Sequence, residues 1–214
     1  MKEKRPEFPH IPSRLAGLGE IAGNLWWSWH PAVRMLYKTI DRQVWKESIH
    51  NPAKMLREVP GDFFKRALSN PEYLKTYDLL LDKFQKELAE EDCWCEQEIP
   101  VPENYTVAYF STEYGLHHSL PFYAGGLGFL AGDHLKECSD LRVPLVAVGF
   151  MYPEGYVRQE IRDDGWQDSK DESLSREAAS IARVLNDRGD PLIVRVPMIE
   201  PPIHVAVWKV SVGR

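Results

Sequence analysis

The sequence predicts an α/β protein, with a helical first half followed by a βαβ unit and further strands. Three observations carry that prediction. Apolar residues recur at helical spacing through residues 15–88; the Pro-broken connector Glu98-Ile-Pro-Val-Pro-Glu-Asn104 interrupts them; and a run of β-formers, a glycine turn, a helical stretch and an apolar run then follow in order. The connector sets the expected boundary between a helical leader over residues 1–97 and a second region over residues 98–214.

Leu15, Leu18, Ile21 and Leu25 begin the helical pattern, and His30-Pro31 opens a segment with Val33, Leu36, Tyr37 and Ile40 on one face. Asn51-Pro52 and Asn70-Pro71 repeat one device. Asn accepts from orphan N–H groups as N-cap, and Pro takes the first helical position, where a missing donor costs nothing. The last leader helix carries the stripe Tyr73, Leu74, Tyr77, Leu80, Leu81, Phe84 and Leu88, and ends in an acidic run from Glu87 to Asp92. Beyond the connector, Tyr105 to Ser111 reads as a strand, Gly125 to Gly128 as a turn and Leu127 to Leu141 as a helix. Val143 to Phe150 reads as a parallel strand buried on both faces. A turn at Tyr152 to Gly155, a strand from Tyr156 to Ile161 and a turn at Asp163-Asp-Gly165 follow. Two more strands are expected over Leu192 to Met198 and Ile203 to Val212, separated by Pro201-Pro202. The sequence stops directly after an alternating strand, which points to a truncated domain.

Bulk properties exclude several classes. At 214 residues, 43% hydrophobic and 27% charged, the chain is an ordinary globular sequence. Its net charge of −6, with acidic residues spread throughout, builds no basic face for nucleic acid. No apolar run is long enough to span a membrane and no signal-peptide core follows the start, so a cytoplasmic protein is expected. Cys93 and Cys95 are too close together for a zinc knuckle, and no pair of histidines has the i, i+4 spacing of a helical metal site, so no metal is expected. Free thiols follow for Cys93, Cys95 and Cys138. Trp26, Trp27 and Trp29 suit either a sugar platform or core packing, and their place in an amphipathic helix favours the core.

The chemistry concentrates in Tyr123-Ala-Gly-Gly-Leu-Gly-Phe-Leu-Ala-Gly-Asp-His134. Gly125, Gly126 and Gly128 allow a tight turn and close approach of a ligand. The helix that follows, from Leu127, aims its first N–H groups and positive dipole end at the same spot. The same pattern also suits a plain strand-to-helix connection. Upstream, Tyr109-Phe-Ser-Thr-Glu-Tyr-Gly-Leu-His117 ends the preceding strand, where open α/β sheets place ligands. Glu113 there can bond sugar hydroxyls, orient cationic groups or lie idle at the surface. His117, His118 and His134 can meet substrate hydroxyls, although an ordinary hydrogen-bonded histidine is the simpler reading of each. Candidate sugar contacts are His117, Asp133 and His134.

Several of these segments resemble, in the right order, the N-terminal domain of α-glucan (glycogen/maltodextrin-type) phosphorylases. They are Leu120 to Leu135, Ser139-Asp140-Leu141, Val143-Pro144, Gly155-Tyr-Val-Arg-Gln159 and Asp164-Gly-Trp-Gln167. Gly23-Asn-Leu-Trp-Trp-Ser-Trp-His-Pro31 and His50-Asn-Pro52 are similar to the helical leader of the archaeal and bacterial short-type group, and Gly115-Leu-His117 follows that group too. The resemblance runs from about Leu15 onward. It implies a partial Rossmann-like domain of GT-B type, phosphorolysis of α-1,4-glucan to glucose 1-phosphate, and pyridoxal 5′-phosphate as cofactor in the full-length enzyme. It also implies that Gly125, Gly126, Leu127, Gly128 and Glu113 face phosphate and sugar, with backbone N–H groups stabilising anionic charge.

The family's cofactor lysine and its phosphate-clamping basic residues lie in later sequence that this chain lacks. No complete catalytic set and no covalently attached cofactor are therefore expected on it. The expected partners are α-1,4-glucan and inorganic phosphate, together with a missing C-terminal half or a second copy of the chain. Two alternatives remain. A nucleotide-sugar-dependent glucan synthase also uses a glycine turn, but Tyr123-Ala124 stands where such enzymes place a basic residue. A non-catalytic carbohydrate-binding module would use the aromatic face.

Overall fold

Asn-Pro pairs start helices where the sequence places them. In the computed structural model, which describes residues 2–89, 94–99, 105–152, 158–170, 174–176, 178–198 and 200–214, the Asn51 side chain accepts from the Lys54 N–H. Asn70 Oδ1 accepts from the N–H groups of Glu72 and Tyr73 at 3.1 and 3.2 Å. The helices they open, and their neighbours, are α1 (Gly17–Ala22), α2 (Pro31–Ile40), α3 (Arg42–Glu47), α4 (Pro52–Glu58), α5 (Gly61–Leu68) and α6 (Pro71–Ala89). Two 3-10 turns, Ser13–Leu15 and Leu25–Trp29, flank α1, so the Leu15-to-Leu25 pattern is helical in three pieces.

Every residue expected on the inner face of α2 is buried, as are Tyr73, Tyr77, Leu80 and Phe84 of α6. Burial follows directly from apolar spacing near 3.6 residues. Tyr37 and Tyr77 carry polar atoms into this core and satisfy them: the Tyr37 hydroxyl donates to Leu18 O at 2.8 Å, and the Tyr77 oxygen accepts from the Gly17 N–H at 3.0 Å. Between α3 and α4 the chain turns through Ile49 and His50, both left-handed at φ 55° and 57°. Their N–H groups close the end of α3 onto Lys46 O and Trp45 O. A left-handed conformation costs a non-glycine residue about 1–2 kcal/mol, and Ile is ill suited to it.

A short helix, α7 (Trp94–Glu98), precedes the second region; the acidic run beyond Ala89, Cys93 and most of the Pro-rich connector lie outside the described residues. The βαβ unit forms as the sequence predicts. Strand β2 (Val107–Phe110) pairs in parallel with β3 (Leu145–Val148), and α8 (Gly126–Asp140) connects them. One expectation fails here. β3 is not buried on both faces, because α8 and the leader cover only the side of Val107, Tyr109, Leu145 and Ala147. The opposite side is open, with Phe110 72%, Val146 55% and Phe150 66% exposed.

The remaining strands are β1 (Lys2–Lys4), β4 (Arg158–Ile161), β5 (Gln167–Lys170), β6 (Ile181–Leu185), β7 (Ile193–Val196), β8 (Ile203–Ala206) and β9 (Trp208–Val210). β4 and β5 form a hairpin about the expected turn, where Gly165 takes φ +84°. Residues 153–157, which hold part of the expected turn and strand start, lie outside the described residues. The expected single strand from Ile203 to Val212 is two: β8 pairs with β7, whereas β9 pairs with β6. β6 is the centre of an antiparallel β1-β6-β9 sheet that joins both ends of the sequence.

This sheet is tied to the leader. Ser180 donates to Ala22 O at 2.7 Å, and Asn51 Nδ2 donates to Ala178 O at 2.8 Å. Asn24 exchanges two bonds of 2.7 Å with the Gly213 backbone while also capping the Leu25–Trp29 turn through the Trp26 N–H. Gly213 has φ +65°, and a Cβ there would meet Ser139 Oγ at 2.0 Å. A side chain at that position would break the latch.

Candidate functional site

The glycine turn sits where β2 hands over to α8, at the carboxyl ends of two parallel strands. Tyr114 closes those ends: its buried hydroxyl lies 2.9 Å from Tyr109 O and 3.2 Å from Val148 O, one carbonyl from each strand exit, and burial raises its pKa. The sequence reading passed over Tyr114, although an aromatic phenol directly after a strand's end is the available signal.

The glycines divide into two groups. Gly115, Gly128 and Gly132 bring backbone against backbone: the Gly115 N–H donates to Gly128 O at 2.7 Å, and a Cβ on Gly132 would meet Gly115 O at 2.3 Å. A Cβ on Gly128 would meet Tyr123 Cβ at 2.4 Å. Gly128 and Gly132 are one helical turn apart on α8, the small-residue spacing that permits such an approach. Gly125 and Gly126 differ: a Cβ on either would meet nothing within 4 Å, and neither has a positive φ. Neither packing nor backbone conformation requires glycine there.

Glu113 reaches this turn with its own carboxylate. Its Oε2 accepts from the N–H groups of Ala124 at 3.0 Å and Gly125 at 3.2 Å. These bonds, with a contribution from the Gly128 N–H, hold its carboxyl below the usual range. The half-buried carboxylate also lies at the positive end of α8. Deeper in the turn, the Gly128 N–H folds back onto Gly125 O at 3.1 Å. The N–H groups of Gly126 and Leu127, the first two of α8, take no hydrogen-bond partner among the described residues. The Leu127 side chain is exposed beside them.

Of the three remaining candidates, Asp133 and His134 are neighbours on α8 and His117 lies in the loop after Glu113. His117 is half-buried with its ring edge-on to Trp27 at 4.7 Å, and its Nδ1 accepts from the Ser119 N–H at 3.2 Å. Burial, then the charges of His118, Lys136, Arg34 and His50, push its pKa down to about 3, so the ring is neutral with its proton on Nε2. His134 turns along α8 towards Tyr109, with ring centroids 5.1 Å apart, and lies 3.6 Å from Cys138 Sγ. Asp133 is exposed, 3.9 Å from Lys136 Nζ. The tryptophans belong to the core: Trp27 is 0% exposed, and Trp26 stacks on His30 at 3.9 Å while its indole N–H donates to Glu87 at 2.6 Å. Among the described residues, no group of three or more His, Cys, Asp or Glu side chains is placed to hold a metal, and no helix is long and apolar enough to cross a membrane.

Fold and site thus define a mixed α/β protein in which a helical region packs on a parallel βαβ unit, with an open glycine turn at the start of the crossover helix. The chain belongs to the family described as a protein of unknown function (DUF3417), whose model matches residues 11–120. It is also similar along most of its length to proteins named for glucan phosphorolysis. It is 39% identical to the glycogen phosphorylase of Aquifex aeolicus over 92% of this chain and 28% of that protein. It is 37% identical to the maltodextrin phosphorylase of Thermococcus litoralis, over 95% of this chain and 24% of that one. A glycogen phosphorylase of Mycobacterium tuberculosis is 36% identical over 96% and 24%, respectively. The chain therefore spans about a quarter of the length of these curated relatives, an extent consistent with an N-terminal portion of a phosphorylase. No solved structure matches it.

Proposed function

We propose that the chain is the N-terminal part of an α-glucan phosphorylase. In this reading it supplies the phosphate-side wall of a cleft whose other residues lie elsewhere in a longer protein. Residues 98–214 form the first part of a Rossmann-like, GT-B-type domain and residues 1–97 its helical leader. The observation that carries the reading is the empty space at Gly125 and Gly126, beside the unengaged N–H groups of Gly126 and Leu127. Donors fixed in advance at a helix start stabilise an anion without reorganising.

Glu113 has a more specific part than a sugar contact. Its Oε2 braces the turn, and its negative charge pushes an incoming dianion away from Ala124 and towards Gly126 and Leu127. Its other oxygen remains for a glucan hydroxyl. Exposed Asp133 stays a candidate sugar contact, whereas His117 and His134 serve packing.

In this reading the pyridoxal phosphate implied by the resemblance is held by residues elsewhere in the longer protein. The lysine of α8, Lys136, lies ten residues beyond Gly126 and faces Asp133, so no step is assigned to that cofactor on this chain.

The direct test follows the amide resonances of Gly126 and Leu127 as inorganic phosphate is added. Saturable shifts are expected, and Gly126→Pro should abolish them. Proline suits the first position of a helix and removes only the donor. Unchanged amides overturn the anion wall. A second assay separates the phosphorylase reading from a glucan synthase: phosphate-dependent release of glucose 1-phosphate from maltodextrin by the longer protein supports it, and glucosyl transfer from a nucleotide sugar sinks it.

A further inference from the structure

A second cluster joins the leader to the loop after Glu113, with Arg34 and Lys38 close enough to act on His50. Arg34 and Lys38 stand one turn apart on α2; His50 follows the strained end of α3; His117 and His118 lie in the loop after Glu113; and Lys136 belongs to α8. His118 and His117 have ring centroids 3.8 Å apart, and His118 and His50 have theirs 6.3 Å apart at 86°. The left-handed turn at Ile49 presents its carbonyl to His118 Nε2, which must therefore carry the proton and donate. That bond leaves Nδ1 as the His118 nitrogen not engaged by Ile49. His50 is steadied from behind by Trp45, at 5.4 Å.

The charge balance at this place is unusual for a chain of net charge −6. Among the described residues, no carboxylate pairs with Arg34 or Lys38, and Asp133, 3.9 Å from Lys136, is the acid nearest to the group's cations in any ion pair. Arg34, His50 and His118 are exposed, Lys38 is half-buried, and His117 and Lys136 lie beneath them. A left-handed turn that sets imidazoles beside Arg34 and Lys38, cations with no carboxylate partner among the described residues, suits an external anion. Lys136, which acts on His117, is ten residues along α8 from Gly126, about 15 Å of helix rise, which sets the α8 side of this cluster apart from the glycine turn.

We propose that Arg34, Lys38, His50 and His118 form a surface site for a phosphoryl dianion, separate from the glycine turn. Arg34 and Lys38 supply positive charge, and His50 becomes a donor at both ring nitrogens when it protonates. His117 stays neutral in its packed position and holds the loop. Burial first, then His118, Arg34 and Lys38, lower the pKa of His50, and a bound dianion opposes the last three of these effects. Binding should therefore strengthen as pH falls through the histidine range, and fall back above it to what Arg34 and Lys38 provide. The site stands whether or not the glycine-turn reading does, since one is read at imidazoles and the other at backbone amides.

The experiment is an NMR pH titration of the histidine rings in this 214-residue chain, with inorganic phosphate and, separately, glucose 1-phosphate, against chloride at equal ionic strength. We expect saturable shifts of the His50 and His118 rings and a rise of about one unit in the His50 midpoint, a tenfold linkage. The double variant Arg34→Gln/Lys38→Gln changes side chains outside the buried face of α2 and should keep the fold while losing the effect. A response to both ligands assigns the site to the phosphoryl group alone; a response only to the ester adds sugar contacts to it. No shift beyond chloride, or an equal shift in the double variant, overturns the proposal.

Discussion

Replacing Gly132 by alanine should destabilise the chain, whereas the same change at Gly126 should not. The new Cβ at Gly132 would stand 2.3 Å from Gly115 O and 2.7 Å from Gly115 C, where ordinary contact begins at 3.4 Å. The loop must therefore retreat by about 1.1 Å (3.4 − 2.3) from the helix. Overpacking of this kind costs about 1–3 kcal/mol. The retreat also strains the 2.7 Å bond from the Gly115 N–H to Gly128 O, worth about 1 kcal/mol. Alanine's better helix propensity returns about 1 kcal/mol. The net loss is about 1–3 kcal/mol, and a loss of about 2 kcal/mol would lower Tm by roughly 4–8 °C in a chain of this size. At Gly126 an added Cβ meets nothing within 4 Å, so stability should be unchanged or rise by up to about 1 kcal/mol. Urea unfolding measures both, provided the m-value stays constant. A Gly132→Ala midpoint equivalent to less than about 0.5 kcal/mol of loss, or a Gly126→Ala loss above about 1 kcal/mol, refutes the division of the glycines into packing and open classes.

Two further outcomes are expected. Trp27→Ala should cost about 3–5 kcal/mol, because a wholly buried indole leaves a cavity between the leader and the His117 loop; a variant that keeps its unfolding midpoint but loses oligosaccharide binding would restore the sugar-platform reading. The chain should associate with itself through the face of Phe110, Val146, Val148 and Phe150, which parallel strands normally keep covered. Sedimentation should show concentration-dependent growth that Phe110→Ser with Val148→Thr suppresses, and a wild-type chain that stays monomeric counts against it.

What was legible in the sequence was local. The Asn-Pro starts, the α6 stripe and the strand-turn-helix-strand order each depend on residues a few positions apart, so periodicity and capping chemistry suffice to read them. What was not legible depends on distant partners. β6 (Ile181–Leu185) is interrupted by Arg183 and no turn or motif marks it, yet it is central because Lys2–Lys4 and Trp208–Val210 pair with it from opposite ends of the chain. The burial of β3 was overestimated for a related reason. An apolar run shows that a strand can be covered on both faces, not that covering elements are present.

The glycine turn shows the same limit at the scale of a site. Spacing alone groups Gly125, Gly126 and Gly128 together, because all three permit a close approach of some backbone or ligand. Only the fold shows what approaches each: Tyr123 and the Gly115 loop press on Gly128, and nothing presses on Gly125 and Gly126. Glu113 completes the distinction. Eleven residues upstream of Ala124, it returns to the turn through the folding of the intervening loop and takes two of its donors. A carboxylate so placed already draws on the positive end of α8. A phosphate bound at Gly126 and Leu127 would share that field with a negative neighbour, so binding there should be weak unless cations from elsewhere in a longer protein compensate. On the proposed reading the turn orients an anion whose tight binding other residues complete.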